Sequence, residues 1–181
     1  MFFYPFSNSP CVLVSYGNKE RDPAICALLL ASGIRLSEAV NANVKDLNII
    51  NMTIDVIRKG GTADHVNIAS FAKPYLVQYF NVRKEKYHTT DSDKALFITT
   101  QSKVPQRLGG ASIERMVAKY SSGFNVRITP HKLLHTLATR LYSSTNDMLI
   151  TANQLGHKGT EMVSVYAHIS SYKTKENLDE F

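Results

Sequence analysis

The sequence predicts a mainly α protein with a small antiparallel β-sheet, an α+β fold. Apolar residues recur at helical spacing over most of the chain, for example in residues 71–87. Two short segments, residues 53–58 and 64–69, instead alternate apolar and polar residues as strands do. With 181 residues, 44% of them apolar, the chain can bury one substantial core. We expect one folded domain over residues 19–171, after an irregular segment 1–18 and before a tail 172–181.

Arg35 lies in a predicted turn between two helices. Asp22 and Pro23 are typical of a helix start, Gly33 ends that helix, and Ser37 can cap the next one. A guanidinium beside the free backbone N–H groups of a helix start is a good anion site. An arginine in a turn is more often a solvated surface residue, so its position favours binding only modestly.

Lys59 lies at the tip of a predicted β-hairpin. Residues 59–63, which include Gly60 and Gly61, separate the two alternating segments. A lysine on such a loop can reach into a ligand. The alternative is an exposed lysine kept for solubility, and Lys59 taken alone favours that alternative.

Further segments complete the predicted domain. Residues 71–87 have helical spacing, and residues 95–98 form a short buried strand or extended segment. Ser112 is predicted to cap another helix, with one apolar face made of Ile113, Met116, Val117 and Tyr120.

The next helix carries two histidines. Thr129 caps it, Pro130 takes its first position, and His131 falls in its first turn. His131 and Leu134 are three residues apart and share a face. We expect Leu134 to lie outside the core stripe of this helix, which is predicted to be Leu133, Leu137 and Leu141.

A metal site on this helix is disfavoured. His131 and His135 have the i, i+4 spacing of helical metal ligands, but the glutamate of the His-Glu-x-x-His pattern is absent and we find no third ligand. We therefore expect no metal at this site.

A third histidine and a tyrosine follow. Gly156 ends another predicted helix, His157 comes directly after it, and Tyr166 lies near the end of a short helix that Thr160 can cap. A tyrosine in such a place is more often packing than a nucleophile. The case for Tyr166 depends on the whole set of residues.

Composition fits a nucleic-acid target. The chain has 21 Lys+Arg against 15 Asp+Glu, a net charge of +6 and a pI near 9.3, as expected of a phosphate binder or simply of a basic soluble protein. Cys11 and Cys26 form no disulfide framework, which favours a reducing cytoplasm. No apolar run approaches the ~18 residues that span a membrane. The N-terminal segment lacks the basic start of a signal peptide.

As a group, these motifs resemble the catalytic domain of the tyrosine recombinases, the phage-integrase and Xer-type family. The resemblance is carried by residues 33–38 (Gly-Ile-Arg-Leu-Ser-Glu), 58–61 (Arg-Lys-Gly-Gly), 129–139 (Thr-Pro-His-Lys-Leu-Leu-His-Thr-Leu-Ala-Thr), 155–157 (Leu-Gly-His) and 166–168 (Tyr-Ala-His).

The resemblance implies a role for each residue. Arg35 would clamp the scissile phosphate, and Lys59 would protonate the departing 5′ oxygen. His131 and His157 would hydrogen-bond the phosphate and assist proton transfer. Tyr166 would attack the phosphorus to give a 3′-phosphotyrosyl link. Members of the family assemble as tetramers on paired sites in double-stranded DNA, and they use no metal or other cofactor.

Two departures from the family pattern bear on activity. The pattern is His-x-x-Arg, and Leu134 occupies the place of its arginine, the altered phosphate-binding position. Loss of one such donor typically costs a factor of ~10² to 10³ in rate. Residues 1–18 are also too short for the upstream DNA-clamping domain, which predicts a fragment or a shortened gene. Leu134→Arg is expected to restore cleavage at little cost in stability.

Three functions stay open. The first is a site-specific recombinase or integrase domain impaired at Leu134, which we favour. The second is a catalytically weak or inactive DNA-binding paralogue or fragment. The third is a nickase like the type IB topoisomerases, which share this chemistry, but the close match to the recombinase motifs counts against it.

Overall fold

The structure is a computed structural model that describes residues 18–90, 94–99, 104–121 and 128–156. Within these residues six α-helices are, in chain order, α1 (Arg21–Ser32), α2 (Leu36–Asn41), α3 (Lys73–Lys86), α4 (Gly110–Ser121), α5 (Pro130–Thr145) and α6 (Met148–Leu155). The strands are β1 (Leu47–Asn48), β2 (Thr53–Ile57), β3 (Ala63–Asn67), β4 (Ile98–Thr99) and β5 (Gln106–Arg107). The predicted fold class, mainly helical with a small antiparallel sheet, is confirmed.

Helix α1 is the centre of the core, because every one of its residues is buried and it packs against α3, α4 and α5. Its first turn buries an ion pair between Arg21 and Asp22, 2.8 Å apart. The Asp22 carboxylate also accepts a hydrogen bond from the Tyr120 hydroxyl at 2.9 Å. Asp22 is therefore not the helix cap that the sequence predicted. Its carboxylate bonds to side chains, and α1 begins at Arg21 rather than at Pro23.

Gly33 ends α1 as predicted. Its backbone is left-handed, with φ of 67°, and its N–H donates to the Leu29 carbonyl at 3.1 Å. A side chain here would collide with neighbours, because a Cβ would lie 2.8 Å from methyl carbons of both Leu137 and Leu155. Gly33 therefore lets α5 and α6 pack closely against the turn that leads to Arg35.

The predicted hairpin is confirmed. Strands β2 and β3 pair antiparallel from Thr53 opposite Asn67 to Ile57 opposite Ala63, and β1 adds a short third strand beside β2. The inward face of the sheet is apolar, with buried Ile54, Val56 and Val66.

The remaining predicted segments of the core are also present. Residues 95–98 are buried, and β4 begins at the last of them. The four predicted apolar positions of α4 are buried. Ser112 is not the cap of α4, however, since the helix begins at Gly110 and the Ser112 N–H donates to the Gly109 carbonyl at 3.0 Å.

The structure also bears on the cysteines and on the length of the apolar helices. Cys26 is a free thiol, and burial raises its pKa to about 12, so it is a poor nucleophile. Cys11 lies outside the described residues. Among the helices that the structure describes, none is long and apolar enough to cross a bilayer.

Candidate active site

Arg35 occupies the predicted turn, and a carboxylate holds it there. Arg35 is the residue before α2, and both its backbone N–H (2.8 Å) and its Nη1 (3.0 Å) donate to Glu38. Ser37 is exposed inside the first turn of α2, so the predicted serine cap is wrong and Glu38 supplies the acceptor. The Arg35 side chain remains 34% exposed, which leaves part of its guanidinium open to a ligand.

Arg58 is a buried arginine that the sequence analysis did not single out. Its Nη1 donates to Glu38 at 2.9 Å and its Nε donates to Asp64 at 2.8 Å. Its Nη2 donates to the Gln154 carbonyl at 3.1 Å. The strand pattern does indicate that Arg58 is buried, because Ile54, Val56 and Arg58 follow the two-residue period of the inward strand face.

Glu38 therefore joins the two arginines. Its side chain is only 3% exposed, and its two oxygens receive Arg35 on one side and Arg58 on the other. A buried carboxylate needs such partners, because an unpaired charge in the interior is very costly.

Lys59 lies at the hairpin tip, as predicted. The turn is closed by hydrogen bonds from the Arg58 N–H to the Thr62 carbonyl (2.8 Å) and from the Gly61 N–H to the Arg58 carbonyl (3.0 Å). Lys59 is exposed and forms no hydrogen bond or ion pair with the residues that the structure describes. Its ammonium group is therefore available to a ligand from outside.

The last turn of α6 completes this side of the site. Gly156 ends the helix in the left-handed region, with φ of 62°, as predicted. The Gly156 carbonyl accepts a long hydrogen bond of 3.4 Å from Arg35. The Gln154 amide donates to the Ser32 carbonyl at 2.8 Å and to the Asn67 carbonyl at 2.7 Å. The turn that precedes His157 is thus fixed to α1, the hairpin and Arg35.

His131 and His135 form a hydrogen-bonded pair on α5. Thr129 and Pro130 begin this helix as predicted, and the Lys132 N–H donates to the Thr129 hydroxyl at 3.2 Å. The Nε2 atoms of the two histidines are 2.8 Å apart, with His131 exposed and His135 half-buried. Burial, and secondarily the charge of His131, lowers the pKa of His135. One proton can bridge the two rings, and two protons would repel.

Leu134 is buried, which corrects a prediction. It is 5% exposed and packs with Ala138 of α5 and with Ala152 and Leu155 of α6. Of the predicted core stripe on α5, only Leu133 is buried, while Leu137 and Leu141 are half-buried. Helical periodicity identified one apolar face, but α6 covers a second face that the sequence pattern did not reveal.

The structure therefore brings together some of the predicted residues. Arg35, the hairpin base and the end of α6 meet around Glu38 and Arg58, while the histidine pair lies on α5. His157, Tyr166 and Thr160 lie outside the described residues. In the described ranges there is no group of three or more metal-ligating side chains.

Comparison with known proteins gives the class to which this fold and site belong. Residues 13–172 match the Phage integrase family, so the chain belongs to that family. The XerA recombinase crystal structure has a TM-score of 0.77 at 25% identity, covering 93% of this chain and 61% of XerA. XerH site-specific recombinase bound to palindromic difH substrate shares the fold, with a TM-score of 0.73 at 22% identity over 88% of this chain and 45% of XerH.

Within the family, the chain is a catalytic domain similar to the tyrosine recombinase XerS. It is 56% identical over 162 residues to XerS of Streptococcus pneumoniae (strain ATCC 700669 / Spain 23F-1). It is 55% identical over 163 residues to XerS of Streptococcus agalactiae serotype III (strain NEM316). Each match covers 90% of this chain and 46% of the relative, so the chain spans less than half the length of these relatives.

Proposed function

We propose that this chain cleaves and rejoins double-stranded DNA as the catalytic domain of a site-specific recombinase, and that Leu134 slows the reaction. The phenolate oxygen of Tyr166 attacks the scissile phosphorus and forms a 3′-phosphotyrosyl bond while the bond to the 5′ oxygen breaks. Lys59 gives a proton to that leaving oxygen, and His131 and His157 assist transfer of the phenol proton. The reverse reaction rejoins the strands. In this mechanism arginine, lysine and histidine side chains neutralise the phosphate and move the protons, so it needs no metal or other cofactor.

The observation that carries this proposal is the arrangement around Glu38. A partly exposed arginine fork and an exposed lysine lie on two elements that share one buried carboxylate. Fixed donors of this kind stabilise the negative charge that develops on a phosphate in the transition state. Arg35 suits the non-bridging oxygens, because its planar fork binds two oxygens at once. Lys59 suits the leaving oxygen, because an ammonium has a proton to give.

Leu134 is the basis for proposing impairment. At the phosphate-binding position implied by the resemblance, the side chain is apolar and packs between α5 and α6. It offers the phosphate no hydrogen bond. Loss of one donor of transition-state charge typically lowers the rate by a factor of ~10² to 10³.

Leu134 also favours a second candidate function, a DNA-binding protein that does not cleave. In that case Leu134 has become part of the helix-packing core, and the basic surface serves only to hold duplex DNA. The net charge of +6 supports binding under either function.

We further propose self-assembly as a tetramer on paired sites, with residues 19–171 as the strand-exchange domain and residues 172–181 contacting a neighbour.

The deciding experiment is capture of a covalent adduct. The DNA site that the chain prefers is first selected by binding from a pool of random duplexes. The full chain is then incubated with nicked suicide duplexes of that site, from which the cleaved end diffuses away. We expect a slow, chelator-resistant protein–DNA adduct that is lost in Tyr166→Phe, which removes only the attacking oxygen. Tyr142→Phe, a half-buried tyrosine on α5, is the matched control and should retain the adduct.

The outcomes separate the candidate functions. Salt-sensitive DNA binding without any adduct would favour the non-cleaving DNA-binding protein. An adduct that persists in Tyr166→Phe, or cleavage that depends on Mg²⁺, would overturn the proposed mechanism.

A further inference from the structure

We propose that Arg58 is a positioning residue for strand cleavage, because its buried guanidinium fixes the base of the hairpin and so aims Lys59 at the leaving 5′ oxygen. This inference rests on the proposed function. Arg58 would touch neither DNA nor the reacting atoms, and it would act through its neighbour in the chain.

The guanidinium of Arg58 joins three separate elements. It donates to Glu38 in α2, to Asp64 in β3 and to the Gln154 carbonyl at the end of α6. All three distances lie between 2.8 and 3.1 Å, and the side chain is 7% exposed. These bonds engage Nε, Nη1 and Nη2, so each guanidinium nitrogen has a partner on a different element. Three directed bonds hold the Arg58 side chain in a single conformation, and the backbone at Arg58 is fixed with it.

Among the residues that the structure describes, the hairpin tip has little other support. A Cβ placed on Gly60 or on Gly61 would have no neighbouring atom within 4 Å, so none of the described elements packs against that side of the turn. Lys59 is exposed between Arg58 and this open turn. The position of Lys59 is therefore set mainly at Arg58, where the strand leaves the sheet.

The contact between Arg58 and Glu38 also sets the distance between Lys59 and Arg35, the residue proposed to clamp the phosphate. Glu38 accepts from the Arg35 guanidinium at Oε1 (3.0 Å) and from the Arg58 guanidinium at Oε2 (2.9 Å), and Oε2 also accepts from the Arg35 backbone N–H. One carboxylate thus gives the clamp and the hairpin a common reference point. A general acid displaced by about 1 Å can lose ~10²-fold in rate even though the substrate still binds.

A substrate with a sulfur atom in place of the bridging 5′ oxygen tests this role. A thiolate leaves without being protonated, since a thiol is a much stronger acid than an alcohol. A defect in positioning Lys59 should therefore disappear on the sulfur substrate. A general loss of folding or of DNA binding would lower the rate on both substrates equally.

The full chain, Arg58→Lys and Asp64→Asn are compared under single-turnover conditions on matched nicked duplexes containing oxygen or sulfur. Lysine keeps the charge of Arg58 but cannot make the three directed bonds. On the oxygen duplex we expect Arg58→Lys to slow adduct formation by about 10- to 100-fold, with unchanged affinity for DNA. On the sulfur duplex its rate should lie within about threefold of the parent rate.

Two further variants keep the test independent of folding. Asp64→Asn weakens one of the three bonds at a partly exposed carboxylate, so it should fold and show a smaller loss that sulfur also corrects. Arg107→Lys is the matched control. Arg107 also makes three hydrogen bonds, to the Val40 and Ala42 carbonyls and to Asn43. None of these three partners belongs to the hairpin, so we expect parent rates on both duplexes.

The results divide cleanly. Equal losses on oxygen and sulfur duplexes, or no loss in Arg58→Lys and Asp64→Asn, would overturn the positioning role while leaving the proposed function standing. Absence of an adduct from the parent chain on both duplexes would instead overturn the proposed function, and this inference with it.

Discussion

The two sides of the candidate site are built from opposite chemistry. Around Glu38, the buried charged groups are paired: Glu38 and Arg58 have directed partners on other elements, and the partly exposed Arg35 donates to Glu38. Across α5 and α6, the corresponding contact is apolar and consists of Leu134, Ala138, Ala152 and Leu155. The end of α6 contributes to both sides of the site. Leu155 packs with Leu134, and the neighbouring carbonyls of Gln154 and Gly156 accept hydrogen bonds from Arg58 and Arg35.

This difference shows which side offers hydrogen-bond donors to an anion. Directed hydrogen bonds hold Arg35 in the chain alone, so the charged side is organised before any ligand binds. Apolar packing has no such geometry and offers nothing to an anion. Mutation can disturb each side separately.

The largest expected effect is on the charged side. Glu38→Gln should lower the free energy of unfolding by about 3–5 kcal/mol, because it leaves two arginines without their buried counter-charge. Urea denaturation followed by circular dichroism measures this change. Asp55→Asn removes an exposed carboxylate paired with His65 and is the matched control, with an expected change below about 1 kcal/mol. Similar values for the two variants would contradict the proposed role of Glu38 as the joint between arginines.

The apolar side is tested by Leu134→Arg. Because Leu134 is buried, we expect a loss of about 2–4 kcal/mol in the free energy of unfolding without DNA, in contrast to the small cost that the sequence suggested. Per folded molecule, adduct formation on the suicide duplex should rise by ~10². Leu134→Met, which nearly preserves volume, should cost less than about 1.5 kcal/mol and leave the rate unchanged. Unchanged cleavage in the arginine variant would favour the DNA-binding function.

The smallest effect is expected in the histidine pair on α5. The pKa of His135 is lowered in the folded chain, so the unfolded chain binds its proton more readily. This group's contribution to stability is therefore fully present above the unfolded value of 6.5 and is lost as pH falls below it. Urea unfolding between pH 7.5 and 5.5 should show a shallower pH dependence in His135→Gln than in the parent. Identical slopes would show that the pair carries no proton linkage.

Much of the fold could be predicted from sequence because local rules determine it. The hairpin, the end of α1 at Gly33 and the start of α5 at Thr129 and Pro130 all follow from turn and capping preferences. The predicted caps at Asp22, Ser37 and Ser112 were wrong. Asp22 accepts a hydrogen bond from the Tyr120 hydroxyl, 98 residues away, and no local pattern indicates such a partner. Glu38, by contrast, lies three residues after Arg35, and this capping-box spacing could have indicated the acceptor that α2 uses.

The same distinction between local and long-range features applies to the candidate site. Arg35 and Lys59 were predicted from motif and turn, whereas the link between them was not, because Arg58 and Gln154 are 96 residues apart. The burial of Leu134 also depends on where α6 crosses α5. Periodicity within one helix identifies an apolar face, but it does not show how many neighbours cover the helix.

Gly156 has a consequence for how relatives of this chain can vary. A Cβ at this position would lie 2.3 Å from the Arg58 Nε, so any larger residue would displace the guanidinium. The absence of one carbon atom at position 156 is thus what admits an arginine at position 58. Across the family, substitution at one position should accompany substitution at the other. The pair should therefore appear as a covarying couple in an alignment, although 98 residues separate its members.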